Sequence, residues 1–140
     1  MAAMRYRISH LFCAWIVLVV IWILELVPYA LGLLHIPGDE FEPEEIFYVG
    51  LLGGPIFSAV ALLILVIPLT LSSRFLVRRF RWHPTMPYMF FFTISILFAC
   101  VWDLLAKRPF NAQSFGCRIV YVLAGSSTLW FVSRRHEQAV

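Results

Sequence analysis

Three ionisable residues, Glu25, Asp103 and Arg118, stand where their surroundings are apolar. An ionised group near the middle of a membrane helix costs at least about 2.5–3.5 kcal/mol, so such groups pair with one another or face a water-filled cavity. Two chemistries follow. A carboxylate and a guanidinium at equal depth form an ion pair that locks helices together. A carboxylate beside trapped water can instead take up a proton or a cation and border a conduction path. At 1.5 Å per helical residue, Glu25 lies about 22 Å beyond His10, and Arg118 about 24 Å from Arg134. The match predicts a Glu25–Arg118 pair between the first and last helices, with Asp103, slightly nearer the far surface, competing for Arg118. Pro28, one turn beyond Glu25, frees the carbonyl of Leu24; the result is a kink, or an extra oxygen ligand beside the carboxylate.

Other chemistries lack their residues. There is no Cys-x-x-Cys pair, His-Glu-x-x-His helix, Gly-x-Ser-x-Gly elbow or phosphate-cradling glycine loop. His10, His35, His83 and His136 fall near span boundaries on different segments and read as headgroup-level histidines rather than a metal site. Ser126, Ser127 and Thr128 have no histidine at their depth and read as packing hydroxyls. Cys13 and Cys100 lie inside apolar stretches, and Cys117 alone approaches the far face, so no disulfide framework is expected. The expectation is a protein that is not an enzyme and holds neither metal nor cofactor.

The elements carrying these residues follow from composition. Of 140 residues 61% are hydrophobic and 14% charged, against about 45–50% and 25% in soluble domains. A hydrocarbon core of about 30 Å takes about 20 apolar residues per helix. The chain therefore reads as an all-α integral membrane protein, one domain over 1–140, with four transmembrane helices at 11–34, 46–71, 86–105 and 114–133. The first stretch is too long for a signal-peptide core. Pro37, Gly38 and Pro43 frame an acidic loop with Asp39, Glu40, Glu42, Glu44 and Glu45, read as solvated charge. A basic segment from Ser73 to Thr85 follows the second span, Lys107, Arg108 and Pro109 turn the chain, and Arg134 and Arg135 end the fourth span.

Lys and Arg counts orient the bundle. With the N-terminus inside, Arg5, Arg7, Arg74, Arg78, Arg79, Arg81, Arg134 and Arg135 are cytoplasmic, against Lys107, Arg108 and Arg118 outside. Both termini are then cytoplasmic, in a bacterial inner membrane. The net charge of +3 is spread over short juxtamembrane segments that suit anionic lipid, so no nucleic-acid partner is expected. Gly50, Gly54 and Ser58 form a small-residue stripe for close helix packing, within the bundle or between copies. Pro55, in the same span, is a second kink position.

Arg5-Tyr6-Arg7-Ile8, then His35-Ile36-Pro37-Gly38 with Phe41, then Ser73-Arg74 closing the second span, resemble the RexB membrane proteins of lambda-type phage exclusion systems. The likeness covers mainly the first half of the chain. It implies an inner-membrane protein of four spans that depolarises the cell when a cytoplasmic sensor partner detects infection. The matching positions are turn and boundary residues, so no binding residue is carried over, and the acidic loop and Glu25 depart from the pattern.

Two functional classes remain. One is a channel or pore subunit, assembled from several copies, in which Glu25 and Arg118 border a wet path. The other is an accessory or bacteriocin-immunity protein that binds a membrane partner without transport. A small multidrug exporter, with its glutamate in the first helix, is a third, but the residues around Glu25 do not match.

Overall fold

The computed structural model describes residues 7–31, 43–107 and 112–139. It consists of helices α1 (Ile8–Ala30), α2 (Pro43–Ala61), α3 (Ile67–Phe80), α4 (Met86–Ala106) and α5 (Ala112–Ala139), with a π-helical stretch at Leu62–Val66 between α2 and α3. Ala61, Val66 and Ile67 keep right-handed helical dihedrals, so α2, the π stretch and α3 form one continuous rod. The wide turn precedes Pro68, which has no N–H for the Ile64 carbonyl and whose ring would press on that carbonyl in regular α geometry. The Ile67 N–H instead reaches the Leu62 carbonyl, five residues back, opening the space the proline needs.

Side-chain contacts set the directions of the four rods. Trp15 and Trp22 of α1 donate their indole N–H groups to the carbonyls of Pro55 and Gly50, each at 3.0 Å, so α1 and α2 are antiparallel. Trp22 also meets Tyr121, and His10 meets His136, so α1 and α5 are antiparallel as well. Phe91 against Trp130 and Asp103 against Arg118 set α4 antiparallel to α5. Ser58 with Tyr121 and Arg74 with Glu137 run the α2–α3 rod parallel to α5. The result is an up-down-up-down bundle in which α5 touches each of the other rods. The start of α1 and the end of α5 lie at the same end, together with the arginines of α3.

All four rods are long and apolar enough to cross a membrane. Their polarity is arranged accordingly. Leu52, Ile64 and Leu104 are 76%, 72% and 79% exposed, while Ser58, Thr70, Ser73, Ser95 and Ser126 are buried with Leu18, Val66, Phe91, Val122 and Leu129. Thr70, Ser73 and Ser95 satisfy their hydroxyls on the carbonyls of Val66, Leu69 and Phe91, one turn back. Small residues set the spacing. A Cβ on Gly50 or Gly54 would collide with Leu26 or Trp22 of α1, and one on Gly125 would lie 2.6 Å from Leu18 Cδ2. The stripe of Gly50, Gly54 and Ser58 is thus used inside the bundle, against α1 and Tyr121.

Several helix ends differ from the sequence expectation. Glu44 and Glu45 stand in the first turn of α2, where their charge favours the helix N-terminus, rather than in a loop. The basic segment is helical as far as Phe80, and Arg81 closes it with a left-handed backbone (φ 50°). α5 runs past Arg134 and Arg135 to Ala139. Arginine is a good helix former, so a charge run that ends a span need not end a helix. α1 and α2 continue through Pro28 and Pro55. Arg5, Tyr6, His35, the Pro37–Gly38 turn, Asp39, Glu40, Phe41, Glu42, Arg108 and Pro109 lie outside the described residues.

Candidate functional site

At the end of the bundle opposite the α3 arginines, the rods part around a cleft of ≈ 270 Å³. α1 contributes Trp22, Glu25 and Leu26; the α2–α3 rod, Phe57 and Ala61; α4, Phe98 and Trp102; α5, Ser114, Arg118 and Tyr121. These sets share helical faces: Trp22 with Glu25, Phe57 with Ala61, Phe98 with Trp102, and Ser114 with Arg118 and Tyr121 recur at spacings of three and four. That periodicity was the signal for the aromatic wall. Spacing alone does not single out Trp22, Phe57, Phe98, Trp102 or Tyr121 in a chain that is 61% hydrophobic.

Phe57 is central to the wall, with ring centroids 4.8 Å from Trp22, 6.2 Å from Trp102 and 6.4 Å from Tyr121. Trp22 is held by its bond to the Gly50 carbonyl, and Tyr121 donates its hydroxyl to Ser58 Oγ at 3.0 Å. Two of its rings are therefore tied by hydrogen bonds to α2. Toward the basic end the next layer is Leu18, Val66 and Val122, all fully buried.

The structure brings Glu25, Asp103 and Arg118 together but pairs them differently from the expectation. Arg118 donates Nη1 to Asp103 Oδ1 and Nη2 to Ser114 Oγ, the latter at 2.9 Å. The expected competitor is thus the partner. Equal depth did not decide the pairing: α1 and α4 both pack on α5, and it is Asp103 of α4 that meets Arg118. Glu25 interacts with Arg118 electrostatically, yet among the described residues no ion pair joins them. Arg118 is thereby committed to Asp103, and Glu25 lines the cleft without an ion pair among the described residues.

One histidine also departs from the expectation. His10 is buried rather than solvated, and its ring lies 5.4 Å from that of His136. Helices α1 and α5 end side by side, which brings together two residues far apart in sequence. Among the described residues no group of three or more His, Cys, Asp and Glu side chains is placed to hold a metal ion. A carboxylate facing a small cleft with aromatic walls suits a proton or a monovalent cation, because aromatic faces attract positive charge without the desolvation cost of a second carboxylate. Comparison with protein-family models, curated proteins and solved structures finds no match for this chain.

Proposed function

We propose that the chain is a non-enzymatic, multi-pass protein of the bacterial inner membrane, with both termini cytoplasmic, and a channel- or pore-type subunit that changes cation permeability. The observation that carries this reading is the division of labour among the three charges: Arg118 is neutralised by Asp103, and Glu25 faces the cleft without an ion-pair partner among the described residues. In this reading the cleft is an outer vestibule and Glu25 its cation acceptor. Leu18, Val66 and Val122 are fully buried toward the basic end, and in this reading conduction runs through a rearrangement of the rods or a path between copies. The resemblance to RexB proteins supplies a setting, depolarisation during phage infection triggered by a cytoplasmic sensor.

The test is membrane potential in cells on controlled expression. Depolarisation that is lost in Glu25→Gln, at equal protein accumulation, supports the reading; an unchanged potential with every candidate trigger co-expressed overturns it. A second reading rests on Gly53, where an added Cβ would meet nothing within 4 Å, on an outward face with exposed Val49, Leu52 and Ile56. Such a strip admits a further helix, as an accessory or bacteriocin-immunity protein would need. Stoichiometric co-purification of one membrane protein, abolished by Gly53→Leu and without any effect on potential, favours that reading.

A further inference from the structure

A second cleft, of ≈ 140 Å³, lies between α3 and α5 at the basic end, lined by Arg74, Val77, Arg78, Trp130, Arg134 and Glu137. Its electrostatics are one-sided: three guanidiniums against one carboxylate. Arg74 is nearly buried; it donates Nη1 to Glu137 Oε1 at 2.9 Å and lies with its guanidinium carbon 5.9 Å from the Trp130 ring centroid. Trp130 is 5% exposed, and its indole N–H has no hydrogen-bond partner among the described residues. A buried donor left without an acceptor is costly, and here it belongs to a residue lining a cleft already in cationic excess. The group that answers the cationic excess is an anion with several acceptor oxygens. Phosphate oxygens fit guanidinium forks through paired, charge-assisted bonds.

The surface beside the cleft separates a lipid phosphate from a free one. On α3, Leu71, Phe75 and Arg78 recur at spacings of four and three and therefore share one face; Leu71 and Phe75 are exposed. An acyl chain attached to a phosphate at Arg78 would run along Phe75 and Leu71 toward the middle of the bundle. Glu137, more than half exposed, is anchored through Arg74 and can swing into solvent as the phosphate takes its place.

We propose that this cleft is a binding site for the phosphodiester headgroup of an anionic phospholipid, with Arg78, Arg134 and Arg74 as its cationic donors and Glu137 as an intramolecular competitor. The site rests on the bilayer placement of the bundle but not on conduction through Glu25, and its test reads binding alone.

The full chain in mild detergent is titrated with dioctanoyl phosphatidylglycerol, dioctanoyl phosphatidylcholine and sodium phosphate, with binding read by calorimetry and stoichiometry by native mass spectrometry. Phosphatidylglycerol is expected to saturate at one per chain and to bind about tenfold or more tightly than phosphatidylcholine. Arg78→Gln with Arg134→Gln should weaken it about tenfold, whereas Arg79→Gln with Arg135→Gln, equal in charge change but outside the cleft, should leave it nearly unchanged. Glu137→Gln should tighten binding, a gain that misfolding cannot imitate. Equal affinity for the two lipids, equal weakening by both arginine pairs, or weaker binding in Glu137→Gln would overturn the proposal. Displacement of the lipid by sodium phosphate at matched concentration would assign the cleft to free phosphate and overturn the lipid site.

Discussion

The Arg118 guanidinium on α5 donates to the Asp103 carboxylate on α4, fifteen residues earlier in the chain. With Ser114 holding its second nitrogen, Arg118 is committed within the α4–α5 seam. The two chemistries open to three intramembrane charges are therefore divided between residues. Asp103 and Arg118 form the helix lock, and Glu25 lines the cleft.

Removing either member of the lock should cost more than removing Glu25. Asp103→Asn leaves a guanidinium without its counter-ion in a low-dielectric seam, a loss of about 3–5 kcal/mol. Glu25→Gln removes a carboxylate that lines the cleft without an ion-pair partner and should shift stability little. The double variant Asp103→Asn with Arg118→Gln should recover much of the loss. Thermal unfolding of the purified variants in one detergent tests the order, and a Glu25→Gln loss equal to that of Asp103→Asn would reverse it.

Close packing of α5 on α1 depends on Gly125. A Cβ there would lie 2.6 Å from Leu18 Cδ2 and 3.4 Å from Val66 Cγ2, so Gly125→Ala should destabilise by about 1–3 kcal/mol. Shortening Leu18 to Ala in the same chain should relieve the collision, although the lost leucine carries its own packing cost. Gly53→Ala should be neutral or slightly stabilising, because nothing lies within 4 Å of its Cβ position. Midpoints from thermal unfolding distinguish the two glycines.

The α1–α2 seam is tied by two indole donors. Trp15→Phe keeps most of the ring volume and removes the bond to the Pro55 carbonyl, for an expected loss of about 0.5–1.5 kcal/mol. Ser58→Ala should cost a comparable amount, since it deprives the buried Tyr121 hydroxyl of its acceptor. Loss of stability in Ser58→Ala but not in Ser58→Thr would identify the hydroxyl, rather than side-chain size, as the cause.

Much of the architecture was legible in the sequence, because a helix that faces lipid must be apolar along its whole length and the breaks fall at proline, glycine and charge. The exact ends were not. Arg74, Arg78 and Arg79 read as a loop, yet α3 carries them as helix and buries Arg74 against Glu137 and Trp130. Depth along a helix is readable from residue counts, which put Glu25 and Arg118 near one level with Asp103 slightly nearer the far surface. Rotation about the helix axis and the choice of neighbour are not readable that way, which is why Asp103 rather than Glu25 pairs with Arg118. The aromatic wall left its trace in the spacing of Trp22 with Glu25 and of Phe98 with Trp102, but apolar periodicity is uninformative where almost every residue is apolar.

Orientation is tested by single cysteines in a background lacking Cys13, Cys100 and Cys117. Lys107 and Arg135 lie at opposite ends of the bundle. In intact cells with the outer membrane permeabilised, an impermeant maleimide should label Lys107→Cys and spare Arg135→Cys until the inner membrane is opened. The reverse pattern would place both termini outside.

The most direct test of Glu25 as a cation acceptor is ion flux in vesicles reconstituted with the purified chain, read with a voltage-sensitive dye under an imposed cation gradient. The expected result is dye-reported current through the wild-type chain that falls at least about tenfold in Glu25→Gln, while Asp103→Asn with Arg118→Gln retains current in proportion to the folded fraction. Wild-type flux that persists undiminished in Glu25→Gln would contradict it.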